Sequence, residues 1–264
     1  MEYITEKYNS LIAFEKSLHR KKIGRMIDKG FNPNFIGTES EEKADNLLLY
    51  GDEKTVEKIE CKELKRFKST KSTLYRSPVG FTPCVGAVMA GHPNNMYNIH
   101  TTQYSSCKVL NLFYTIDVAW YVSVDDITAV SVKILNIIAA LESKGYRVNL
   151  YIASVYYPVI NEKTTYSTLL SLFVKIKDSG KKLNISKIAY PLTNPAMYRW
   201  HTFKWGDTVC KDLTNTGVLT KASNLYIIIK DSIRKQFRCK FILESYYTMK
   251  NKSEEEIIKE MINQ

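Results

Sequence analysis

The spacing of apolar residues changes several times along the chain, and each change marks an element. From Glu6 to Lys29 the positions Tyr8, Leu11, Ile12, Leu18, Ile23, Met26 and Ile27 recur at helical intervals among basic residues. This predicts a helix, stopped by Gly30 and the Asn32-Pro33 pair. In FIGTESEEKADNLLLYGDEKTVEKIECKELKRF, Thr38 or Ser40 followed by acids offers an N-cap, and Gly51-Asp52 divides two short helical segments. The clearest pattern lies at 108–157. There KVLNLFYTID is an apolar run of strand length, and DITAVSVKILNIIAALESK sets Ile127, Val130, Ile134, Leu135, Ile138 and Leu141 at helical spacing. YRVNLYIASVY is a second apolar run. Ser123 or Asp125 suits the helix start and Gly145 its end. Strand, helix and strand in this order predict a βαβ unit with parallel strands and a right-handed crossover.

Beyond it, strands are expected at Thr168–Lys177 and Leu225–Ile229, separated by short helices interrupted at Pro191 and Pro195. Ser253 and Glu256 stand in capping-box spacing and open a terminal helix. Lys68 to Arg76 reads as a polar, basic connection, and Ser77–Pro83 and Gly91–Asn95 read as loops. The fold class that follows is α/β: a Rossmann-like layered sheet containing the βαβ unit, with helical N-terminal additions and a C-terminal helix. One compact domain is expected, with a helical, basic part at 1–76, an α/β core at 77–252 and a terminal helix at 253–264.

Composition narrows the function more than the fold. The 264 residues are 44% hydrophobic, enough for one substantial core or two small ones. No apolar run approaches the roughly 20 residues that span a bilayer, and the first residues lack a signal peptide's apolar centre, so an intracellular chain without membrane insertion is expected. Five scattered cysteines, none in a CxxC pair, point to reduced thiols and no zinc knuckle. The net charge of +11 favours encounters with polyanions.

Candidate chemistry gathers in three places. In FYTIDVAWYVSVDD, Asp117 leaves an apolar strand where α/β folds commonly hold ligands, and a divalent metal there is the one cofactor to consider; none is favoured. Asp125 and Asp126 suit the first turn of the following helix. Asp52 with Glu60-Cys61-Lys62 has the acid and ExK arrangement by which nucleases hold a metal and place a lysine near the attacking water, although the surrounding residues read as helix. Lys62, Lys65, Arg66, Lys68, Lys71 and Arg76, interleaved with Phe67 and Tyr75, supply phosphate-binding charge and base-stacking rings, against the plainer reading of a solvated face. The run Tyr198–Trp205 offers Arg199 and Trp200 as a partner-binding anchor, with core packing as the alternative for the aromatics. The histidines form no nucleophile-base pair.

Two resemblances bear on these residues. The strand ending at Asp117 resembles the start of a von Willebrand factor A-like domain, whose metal motif is DxSxS; Ala119 and Tyr121 occupy the serine positions, so the resemblance implies a scaffold with a degenerate metal site. FIGTESEEKADNLLLYGD at 35–52, PCVGAVMAGHPNNM at 83–96, ITAVSVKILNIIAALESKGYRVNLYI at 127–152 and VKIKDSGKKLNISKIAYPLTNPAMYRW at 174–200 together resemble an uncharacterised family of bacteriophage proteins. That resemblance implies a phage protein in the host cytoplasm and supplies no activity. The expectation is a non-enzymatic accessory protein binding a phage or host protein, or nucleic acid. A metal-dependent nuclease or phosphotransfer enzyme and a virion or assembly component are the alternatives, and the oligomeric state is left open.

Overall fold

In chain order the described elements are strand β1 (Glu2–Tyr8), helix α1 (Leu11–Leu18), a 3-10 turn (Met26–Lys29), α2 (Pro33–Ile36), α3 (Glu41–Tyr50), β2 (Ser72–Ser77), β3 (Thr82–Pro83), α4 (Val85–Met89) and β4 (Met96–Thr101). Next come β5 (Val109–Thr115), α5 (Val124–Ser143), β6 (Arg147–Ile160), β7 (Lys163–Thr164), β8 (Thr168–Lys177), α6 (Ile185–Thr193), a π-helical segment (Met197–Thr202) and α7 (Phe203–Val209). The chain closes with β9 (Leu213–Gly217), α8 (Ala222–Phe237), β10 (Ile242–Ser245), α9 (Tyr246–Asn251) and α10 (Glu254–Ile262). The computed structural model describes residues 2–54, 56–57, 72–101, 108–119, 121–160, 163–217 and 222–263.

The main sheet runs β1-β8-β6-β5-β10, with β7 and β9 added along β6. β1 is parallel to β8, and β5 is parallel to both β6 and β10, while β6 and β8 meet antiparallel. The sheet is therefore parallel-dominated, as the βαβ pattern predicts. Strands buried on both faces must be apolar almost throughout, and β6 is buried at nearly every position from Val148 to Pro158. Alternate residues divide between two cores. Leu112, Tyr114, Leu150, Ile152, Leu170 and Leu172 join the larger one with α1, α3, α5, α6 and α10. Phe113, Tyr151, Phe173 and Leu243 join a smaller one closed by Ile229 and Ile233 of α8. Phe113 and Tyr151 stack there at 4.6 Å.

α5 forms where its spacing predicts. Ser123 accepts the Asp126 N–H as N-cap, and Gly145 takes a positive φ of 87° just past the last turn. The terminal helix likewise opens with the reciprocal Ser253–Glu256 box, and Ser40 rather than Thr38 caps α3.

Four expectations need correction. The helix over Glu6–Lys29 is three elements. Residues 2–8 are held in a parallel ladder with β8, and α1 starts only after Ser10 accepts the Ala13 N–H. Leu225–Ile229 is not a strand but part of α8, because Ile229 and Ile233, four apart, bury one helical face. Pro191 lies inside α6, near its end, where its missing N–H removes a bond from the final turns only. Ser72 to Arg76, expected within a connection, is strand β2. The helix expected after Gly51-Asp52 falls largely outside the described residues.

Candidate functional site

The strand-end carboxylate is built by the parting of β5 and β6. Ile116 N–H still donates to the Ala153 carbonyl at 3.0 Å. Immediately afterwards Asp117 turns its side chain onto β6: Oδ2 accepts Val155 N–H at 3.0 Å and Oδ1 accepts the Ser154 hydroxyl at 2.6 Å. Oδ2 thus takes a main-chain donor of β6 that a continuing β5 backbone would have met, and Oδ1 takes a side-chain hydroxyl. Burial pushes its pKa up to about 7, against the lowering pull of those two hydrogen bonds. Asp126 serves the helix start: its N–H and Oδ2 both meet Ser123 Oγ, and Oδ1 lies 3.7 Å from Lys250 Nζ.

A hard divalent ion needs about six oxygen ligands. Asp117 and Ser154 are spent on each other, and Ala119 and Tyr121 stand where the adhesion motif has serines. Among the described residues no three of His, Cys, Asp and Glu are grouped to hold a metal. The residues present do not fit the ion.

Asp52 and Arg76, the described members of the other acidic and basic candidate sets, have separate places in the fold. Asp52 is buried and tied to α6, donating its N–H to the Ser186 carbonyl at 3.3 Å while its own carbonyl accepts Val56 N–H at 3.1 Å. Glu60, Lys62, Lys65, Arg66, Lys68 and Lys71 lie outside the described residues. Arg76 is exposed on β2.

Arg199 and Trp200 lie in the π-helical segment and are buried at 8% and 5% exposure, so they present no free surface for a partner. Arg199 donates to the Phe35 carbonyl at 2.8 Å and sits over the Phe35 ring, and burial lowers its guanidinium pKa. Trp200 meets Phe31 edge-on at 4.9 Å. The core alternative accounts for both residues. Beside them His201 is fully buried, with Nε2 2.9 Å from the Tyr190 hydroxyl, and desolvation pulls its pKa down to about 3. A neutral imidazole packed in this way is a structural group.

The other feature is an extension made of β2, β3, β4 and α4. Its sheet runs β2-β4-β3, entirely antiparallel. Among residues 74–99, whose burial is described, none belongs to either hydrophobic core. Between Leu74 and Ile99 only Ala87 is buried. Leu74, Tyr75, Val79, Phe81, Val85, Val88, Met89 and Ile99 are all exposed. The Tyr97 hydroxyl lies 3.2 Å from Cys84 Sγ and pulls that thiol's pKa down. The charge along this part of the sequence is one-sided. After Glu63 the next acid is Asp117, and between them stand Lys65, Arg66, Lys68, Lys71, Arg76 and Lys108: six cations and no anion, so +6 of the net +11.

A family described as a domain of unknown function, DUF7192, matches residues 2–263. The chain belongs to the DUF7192 family. No curated protein and no solved structure matches it.

Two parts of this DUF7192 chain escaped the sequence reading. Ser154, the partner of Asp117, lies in the middle of an apolar strand, and its only signal is a small hydroxyl residue on a buried stretch. The exposed apolar residues of the extension were hidden because 77–83 and 91–95 read as loops on either side of a short apolar segment, although the lack of any charge in PCVGAVMAGHPNNM was visible.

Proposed function

We propose that this chain is a non-enzymatic accessory protein that binds nucleic acid through the acid-free stretch between Glu63 and Asp117. The carrying observation is the coincidence of six cations and no carboxylate over that stretch with exposed Tyr75 and Arg76 on β2. Cations release counterions from phosphates, and aromatic residues are the side chains on which unstacked bases stack. The basic run Lys62, Lys65, Arg66, Lys68 and Lys71 leads directly into that strand in sequence. The α/β body serves as a scaffold, which agrees with the commitment of Asp117 to β6 and of Arg199 to main-chain carbonyls. The resemblance to phage proteins supports an infected host cytoplasm as the setting.

The test is fluorescence anisotropy with single-stranded and duplex DNA across a salt series. Affinity is expected to fall steeply as salt rises, and the combined variant Lys65→Glu, Arg66→Glu and Lys68→Glu should reduce the logarithmic salt slope by about one for each phosphate it no longer neutralises. Binding unaffected by salt or by the charge reversals overturns the reading. Capture of a protein partner without affinity for either nucleic acid replaces it.

A further inference from the structure

One edge of the main sheet gathers positive charge. β5, β6 and β10 run parallel and β8 runs against β6, so the starts of the first three strands and the end of β8 lie side by side. The register fixes this: Val109 pairs with Arg147, Leu112 with Ile242 and Leu150 with Lys177. Bonds between the connecting segments hold the edge together. Arg147 N–H donates to the Lys108 carbonyl at 3.1 Å, Asn111 Nδ2 to the Lys240 carbonyl at 3.0 Å, and Ser179 N–H to Asn149 Oδ1 at 2.8 Å.

Each of the four strands brings cations there. Lys108 precedes β5, Arg147 opens β6, Lys181 and Lys182 follow β8, and Arg238 and Lys240 lead into β10; all six are exposed. Over 108–111, 147–149, 178–183 and 238–242 the one acid is Asp178, whose carboxylate already takes Lys175 Nζ at 3.3 Å and Gly180 N–H at 2.8 Å. The turn after β8 is braced from inside by buried Lys177, which donates to the carbonyls of Asp178 at 3.3 Å and Lys181 at 3.1 Å. Six like charges with one committed acid among them repel one another, and a bound polyanion relieves that repulsion.

The arrangement also selects the polyanion. Neighbouring strands lie about 4.8 Å apart, so four of them set out a row of about 14 Å, matching about four phosphates at about 3.4 Å each along one nucleic-acid strand. A hollow of about 50 Å3 at this edge is lined by both Lys108 and Lys240, with room for water-sized atoms such as phosphate oxygens. Val109 is the one large apolar side chain exposed among these residues, so the edge lacks the apolar face that inserts into a lipid surface. Lys108 is also the last cation of the acid-free stretch between Glu63 and Asp117, which joins the edge in sequence to that stretch.

We propose that this sheet edge binds the sugar-phosphate backbone of nucleic acid irrespective of base sequence, making the α/β body a second contact surface. The inference rests on the nucleic-acid reading and places part of the contact on the folded body.

Fluorescence anisotropy of the full chain with two duplexes of unrelated sequence and one single strand, across a salt series, tests it. The variant Lys181→Glu, Lys182→Glu and Arg238→Glu should bind both duplexes about tenfold or more weakly, by the same factor for each, with a logarithmic salt slope smaller by about two to three. Lys181→Gln with Lys182→Gln, a milder change at exposed positions, should weaken binding in the same direction with circular dichroism unaltered. A native chain that binds DNA while these variants keep its affinity and slope overturns the inference and leaves the nucleic-acid reading standing. A loss that differs between the two duplexes overturns the sequence-independent contact. Loss in the edge variants with none in the Lys65, Arg66 and Lys68 variant supports the edge and sinks the earlier stretch. A native chain that binds no duplex or single strand at low salt sinks both readings, and binding of polyglutamate or anionic vesicles through the same lysines then names the replacement.

Discussion

The α/β body and the extension at 72–101 follow opposite rules. In the body, β6 is buried on both faces and Trp205, Phe113 and Phe173 are fully enclosed; in the extension an ordered sheet and helix leave Leu74, Val79, Phe81 and Met89 open. The body pairs buried charge internally, as when Lys177, buried at 3%, donates to Glu142 at 2.5 Å and to the Val148 carbonyl at 3.2 Å. The extension has no charged group to satisfy beyond Arg76. Stability is therefore concentrated in one region and unspent binding surface in the other.

Mutations can sharpen or break that contrast. The largest effect is expected at Trp205, which is fully buried, meets Tyr156 edge-on at 6.4 Å and donates to Glu6 at 2.9 Å. Trp205→Ala should cost about 3–5 kcal/mol in denaturant unfolding. Met89→Ala, in the extension, should change the stability of the dilute protein by no more than about 0.5 kcal/mol. Comparable losses at the two positions would erase the distinction.

Asp117→Asn is expected to have an intermediate effect with a diagnostic pH dependence. The folded pKa is raised to about 7, so between the ordinary aspartate range and that value the folded state holds more protons than the unfolded chain. Stability from this group is greatest in acid and is lost as pH rises through about 7. Asparagine cannot titrate, so the advantage of the native protein over the variant should shrink as pH rises from about 4 to about 7. Thermal unfolding across that range measures it, and an advantage that grows with pH contradicts the buried geometry. The smallest effect in the body belongs to its last helix. Ser253→Ala removes the cap of α10, whose Oγ accepts Glu256 N–H at 3.2 Å, and should cost about 1 kcal/mol by the same measurement.

Legibility in the sequence followed the range of the interactions. The βαβ unit, the Ser123 and Ser253 caps and the third long strand were readable because spacing and capping are local. β1 was not, since Glu2–Tyr8 is a strand only by virtue of its ladder with β8, more than a hundred residues away. Five consecutive residues at 225–229 suggested a strand because so short an apolar run carries no period, and only Ile233 reveals the helix. At the strand end, the position of Asp117 was readable and its bond to Ser154 was not, because side-chain partners across strands have no sequence signature. The same limit hid Asp207, buried after α7 begins, whose two carboxylate oxygens accept the N–H groups of Met26 and Ile27 at 2.9 Å each.

The first and last described residues of the extension, Ser72 and Thr101, face each other in the β2–β4 register. The chain therefore enters and leaves the extension at neighbouring points, as a cassette does. Replacing all of it with a short turn asks the body for little more than loop closure, whose free energy grows only with the logarithm of length. By the same argument, a different cassette grafted at these two points would be carried by an unaltered sheet, so the scaffold can change what it recognises without changing how it folds.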